Sequence, residues 1–185
     1  MQSFAYPLPD HLFVAAEAAT IFATIGLPTS PALASLRDFV REGLIQPTGV
    51  IGKPSRTAAH VYSAHELFAA AILLALSDIS SERRVMRAVL AALDETDETG
   101  ASRLAHIWTA STRDAGRESW LLRVDVVRPT AGERQITAHL FTSDTPNQFR
   151  PAIPEGAYRA SLFVDLADVA EGVARGIAKV LGSED

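Results

Sequence analysis

The chain has 185 residues, 48% hydrophobic and 21% charged, which is the composition of a globular protein of one domain or two small ones. Its 17 Lys and Arg against 22 Asp and Glu leave a formal charge of −5, so a generally basic nucleic-acid coat is excluded and only a local basic patch remains open. With no cysteine, a disulfide scaffold, a zinc finger, a thiolate metal site and a cysteine nucleophile are all excluded.

In chain order, residues 12–24 carry Phe13, Ala16, Ile21 and Phe22 at helical spacing and stop at Gly26. Thr29-Ser30-Pro31 reads as a helix cap with proline at the first helical position. The second helix then runs to Glu42, with Leu33, Leu36, Phe39 and Val40 inward and Ser35, Arg37, Asp38 and Arg41 elsewhere on the cylinder. Gly49-Val50-Ile51-Gly52 and His60-Val61-Tyr62 flank a proline- and glycine-containing tip, the pattern of a two-stranded flap. Ser63-Ala64-His65-Glu66 is a capping box and predicts a third helix through the apolar run to about Leu76. That run is far shorter than the ~20 residues of a membrane span, so it is a core helix. Ser80 is expected to cap a fourth helix with Val85, Val89 and Leu93 inside, and Arg83, Arg84 and Arg87 are read first as its solvated face, with contact to a phosphate backbone beside the second helix as the alternative.

The stretch from Asp94 to Gly100 is acidic and ends on glycine, which marks a linker, drawn as 94–102, between residues 1–93 and residues 103–185. Beyond it come a helix over 103–114, a hairpin of 120–128 with 135–142, a third strand over 157–164, and a last helix capped by Asp165 or Asp168. Gly172 and Gly176 lie inside that helix, where each costs about 1 kcal/mol of propensity, so close packing against a sheet or helix is expected there. Trp120, Phe141, Phe149, Tyr158 and Phe163 are read first as core and second as the lining of an effector pocket. The predicted class is α+β: a mainly helical first half with a two-stranded wing, then a small α+β half with a three-stranded antiparallel sheet and a C-terminal helix.

Ser35-Leu36-Arg37-Asp38-Phe39-Val40-Arg41-Glu42-Gly43-Leu44-Ile45 resembles the recognition-helix signature of the MerR family of transcription regulators. Val61-Tyr62-Ser63 with Glu66-Leu67 resembles that family's exit from the wing, and Ile79-Ser80-Ser81-Glu82 the start of its fourth helix. The resemblance covers about residues 12–93. It implies a winged helix-turn-helix that binds double-stranded DNA as a homodimer, with RNA polymerase or a small-molecule effector as a further partner.

Between Thr29 and His60 the basic residues Arg37, Arg41, Lys53 and Arg56 outnumber Asp38 and Glu42, which gives a local excess of +2 in an acidic protein. The expected contact set is Ser35, Arg37 and Arg41 on the helix, Lys53 and Arg56 at the wing tip, and His60 and Tyr62 at its exit. Arg37 is the candidate for a base edge. His60 stands where the family carries an arginine, which makes the expected phosphate contact pH-dependent. The acidic stretch also interrupts the long helix through which the family dimerises, so dimerisation is expected elsewhere.

The five histidines, His11, His60, His65, His106 and His139, form no pair at metal-ligand spacing, and neither a nucleophile elbow nor a phosphate loop occurs. The expectation is therefore a non-enzyme with no cofactor and no metal. Met1 to Pro9 has no secretory pattern, from which a cytoplasmic location is expected. The rival readings are a protein-interaction adaptor with a degenerate winged helix, and an excisionase-like or phage architectural DNA-binding protein.

Overall fold

The computed structural model describes residues 11–52, 59–96, 100–112, 118–129, 131–142 and 157–182. Among them the fold is α+β, with six helices and two three-stranded antiparallel sheets. The elements are β1 (Phe13–Val14), α1 (Ala15–Thr24), α2 (Thr29–Arg41), β2 (Gly49–Ile51), β3 (Ala59–Tyr62), α3 (Ala64–Ser77), α4 (Arg83–Asp94), α5 (Arg103–Ser111), β4 (Trp120–Arg128), β5 (Gln135–Thr142), β6 (Tyr158–Asp165) and α6 (Leu166–Val180).

The expected helix over 12–24 begins later than its apolar spacing suggests. Phe13 and Val14 pair with Tyr62 and Val61, so the expected two-stranded flap is a three-stranded sheet in the order β1-β3-β2. An aromatic and a β-branched residue suit a strand, and β3 offers them a partner edge. Val14 has no side chain that can cap a helix; instead its N–H donates to Glu17 Oε2 at 2.8 Å, leaving the carboxylate to close the first turn of α1.

At α2 the cap is Pro28, with Thr29 and Ser30 already helical and no side-chain cap bond. The serine box of α3 forms as expected: the Glu66 N–H donates to Ser63 Oγ at 3.3 Å and the Ser63 N–H to Glu66 Oε2 at 2.6 Å. Ser80 does not cap α4. Its hydroxyl accepts from the Glu82 N–H at 3.4 Å, and the helix starts only at Arg83.

From Leu67 to Leu74 every residue of α3 is buried, so this helix is surrounded on all sides. Phe68 meets Trp108 of α5 edge to face at 5.3 Å between ring centroids. The second sheet has the order β5-β4-β6, and its inner face, Leu122 and Val124 with Leu140, Ala138, Val164 and Leu162, packs onto the helices. One hydrophobic core therefore includes residues from both sides of 94–102. In that expected linker the chain doubles back: Thr96 bridges Ser102, and the Arg103 N–H donates to the Glu95 carbonyl at 2.8 Å.

On the opposite face of β4, Arg123 and Asp125 form an ion pair at 3.1 Å, and Asp125 is 1% exposed. The Ser161 hydroxyl donates to Asp125 Oδ1 at 2.6 Å, which supplies the extra hydrogen bond a buried carboxylate requires. Phe141 and Phe163 lie on this side, whereas Trp120 joins the inner core, so the aromatic residues expected to line one pocket are divided between two faces. Phe149 and the Tyr158 side chain fall outside the described part.

The tightest helix contact is α6 against α1. A Cβ added to Gly176 would stand 2.6 Å from Ile21 Cα and 2.8 Å from Thr24 Oγ1, and one added to Gly172 would meet Ile25 Cγ2 at 2.0 Å. The Thr24 hydroxyl bonds the Gly172 carbonyl at 2.6 Å across the crossing. These glycines exchange helix propensity for backbone approach. Gly176→Ala should therefore destabilise the protein by about 1–3 kcal/mol in urea denaturation, despite the better helix former, because it forces backbone against backbone. A neutral or stabilising effect would contradict this packing.

Candidate nucleic-acid interface

α2 buries Ala32, Leu36 and Phe39 against the core and turns its opposite side outward. At 100° per residue, Ser30, Ala34, Arg37 and Arg41 fall within roughly 60° of arc on that outer side, and all four are exposed. Ser35 lies roughly 160° round from Arg37 and is half-buried, so it is off the stripe. Ser30 and Ala34 were not among the expected contacts, although counting back from Arg41 by 4, 7 and 11 residues finds them.

The charges on and around α2 divide cleanly. Arg41 pairs with Asp38 at 2.9 Å while staying 73% exposed. Glu42 turns away to Arg83 of α4, accepting from Nη2 at 2.7 Å, and the Arg83 guanidinium also lies 5.9 Å above the Phe39 ring. Arg37 is left exposed, with no hydrogen bond or ion pair among the described residues. Of the cluster Arg83, Arg84 and Arg87, the first is thus a structural tie between α4 and α2, while the other two are exposed.

His60 is exposed on β3, beside the outward Val50 of β2. Tyr62 is 2% exposed, so its ring belongs to the core instead of the surface. Burial raises its phenol above the ordinary range; the Arg37 guanidinium opposes that rise and Glu66 adds to it. Lys53 and Arg56 lie outside the described residues. Arg37, Arg41 and His60 are the described members of the expected set that reach the surface in exposed form.

A hollow of about 620 Å³ between α1, the start of α2 and the end of α6 has Lys179 and Thr29 in its wall, a shared surface that sequence order hides. A second cleft, of about 630 Å³, lies where the end of α2 meets α3 and α4, lined by Leu44, Ile45, His65, Arg87, Asp94 and Leu104 among others. His65 Nε2 is buried there without a hydrogen-bond partner. No group of three or more His, Asp or Glu able to hold a metal occurs among the described residues, and no described helix is long and apolar enough to cross a membrane. No protein-family model matches the chain, and neither does any curated protein.

Burial lowers the His65 pKa below its ordinary value, with Glu66 opposing. The unfolded chain takes up a proton at about 6.5, where the folded imidazole still refuses it. The stability held by neutral His65 is complete above that pH and is lost as pH falls toward the lowered folded value. In urea denaturation, His65→Gln should thus lose less stability than wild type between pH 7.5 and 5.5; parallel losses would remove His65 as a source of the pH dependence.

Proposed function

We propose that this chain is a sequence-specific, DNA-binding transcription regulator of the MerR type, in which α1, α2 and the β2–β3 hairpin act as a winged helix-turn-helix. The observation that carries the reading is the exposed stripe of α2, with Arg37 free at its centre and the opposite side of the helix buried. A helix of this size fits the major groove of double-stranded DNA, and an unpaired guanidinium can fork onto guanine O6 and N7.

The remaining contacts take backbone roles. Thr29 and Ser30 stand at a helix start with no side-chain cap, so their N–H groups and hydroxyls suit a phosphate, and Lys179, which lines the same hollow as Thr29, adds a cation. Arg41 serves a phosphate from the far end of the stripe. His60 supplies a contact from the hairpin, and Lys53 and Arg56, which lie between β2 and β3 in sequence, are the further cations of the proposed set. Tyr62 supports the surface from inside, and Ser35 is left out of the contact set.

A homodimer reading a pseudo-palindrome fits this arrangement. Because α4 stops at Asp94 and the chain turns back, the second copy is assigned to the C-terminal half in place of a long paired helix. RNA polymerase remains the partner through which such a complex acts on transcription.

Fluorescence anisotropy against the gene's own upstream region at two salt concentrations tests the reading. Binding should weaken steeply with salt, and Arg37→Ala should cost about 1–3 kcal/mol, mostly as lost discrimination at one base position. Arg41→Ala should weaken all sequences alike and lower the salt slope by about 1. Absence of binding at low salt, or indifference to both substitutions, would overturn the proposal and leave the adaptor reading.

A further inference from the structure

The cleft at the end of α2 contains two opposite charges that the fold does not use. Arg87 and Asp94 line it from one face of α4, seven residues apart, which is about 10 Å along the axis, with Leu90 and Ala91 between them. Both are exposed, and among the described residues neither forms an ion pair or hydrogen bond, whereas nearby Arg83, Arg103 and Arg134 are taken by Glu42, Glu95 and Glu82.

Of the other polar groups of the cleft, Glu66 and Ser102 are already committed, whereas His65 Nε2 is buried in its wall with no hydrogen-bond partner among the described residues. Glu66 Oε2 accepts from the Ser63 N–H and from the Thr48 hydroxyl at 2.7 Å, and Ser102 Oγ accepts from the Ala105 N–H. Leu44, Ile45, Leu90 and Leu104 make the lining apolar between the two charges. A purely apolar guest would leave both charges to water, and a simple anion on Arg87 would leave Asp94 unanswered. A molecule with both signs, spaced along an apolar body, complements the two charges and the apolar wall together.

We propose that this cleft binds a tripeptide-sized zwitterion, its carboxylate on Arg87, its ammonium on Asp94 and its apolar side chains over Leu44, Ile45, Leu90 and Leu104. Three extended residues span about 10 Å, comparable with the rise along α4 between the positions of Arg87 and Asp94. The orientation also agrees with α4 itself: Asp94 is its last residue, where the unpaired carbonyls of a helix end favour a cation. Because Gly43, Leu44 and Ile45 are part of the wall, the guest would rest on the turn by which the chain leaves α2.

Isothermal titration of the full chain with the tripeptide Ala-Leu-Ala, alone and in its N-acetylated and C-amidated forms, tests this without any DNA present. Saturable one-to-one binding is expected. Acetylation and Asp94→Asn should each weaken it about tenfold, as loss of a charge-assisted hydrogen bond does, and acetylation should have no further effect in Asp94→Asn. Amidation and Arg87→Gln should behave as the corresponding pair at the other end. Both substitutions are at exposed positions of α4, and an unchanged urea transition establishes that the variants are folded. No saturation at millimolar peptide, equal binding of the capped and free forms, or binding indifferent to both variants would overturn the proposal.

Discussion

The near-contact of two helix backbones at Gly172 and Gly176 governs how this chain is assembled. α6 issues directly from β6, its start held by Asp165, whose carboxylate accepts from the Ala167 N–H at 2.9 Å. β6 is paired along its length to β4, and α1 packs on its other side against α2. The C-terminal sheet is thereby joined to α2 through two helices and a crossing that leaves no room for even a methyl group. Such a contact has few nearby alternatives, since a small shift of α6 along α1 places side chains where the glycines now lie. This is how halves of different composition come to share one core.

The same packing decides which part of α2 is available. α3 is buried along most of its length and takes up the interior of the first half, so α2 can offer it only one side, carrying Leu36 and Phe39. Arg83 then fastens the end of α2 to α4 through Glu42 and Phe39. Arginine is suited to this tie because one planar group can bond a carboxylate and lie over a ring together. What is left of the helix is an outward stripe on a rigid support, the condition under which a few side chains can be held in register with a partner surface.

Most helices and strands were legible because their signals are local. The Ser63 and Glu66 box, the four-residue repeat of Val85, Val89 and Leu93, and the β-branched runs of β4 and β5 each act within a few residues of themselves. β1 was not legible: two residues become a strand only because β3, nearly fifty positions later, lies alongside. The pairing of Gly172 and Gly176 with α1 was foreseen only as close packing of unspecified kind, since a small-residue pattern names no partner. At the candidate interface, Arg37 and Arg41 could be read from the apolar spacing of their neighbours. Tyr62 could not, because alternation in a short strand gives two faces without saying which one the core will take. Ser35 was misplaced for a simpler reason: two residues of helix turn a side chain almost to the opposite side.

An overall charge of −5 does not conflict with the proposed DNA-binding surface. At physiological ionic strength, charges farther apart than about 8 Å are largely screened, so a partner at α2 responds chiefly to Arg37, Arg41, Lys179 and the positive end of the helix. Within such a field an arginine's role follows from whether a carboxylate lies within reach. Among the described residues, Arg83 has Glu42 and is structural, Arg37 has no carboxylate partner and faces outward, and Arg87 shares its cleft with Asp94, two turns away along its own helix. Seven helical residues, about 10 Å along the axis, separate those two positions, and it is across that interval that the proposed guest would meet both charges.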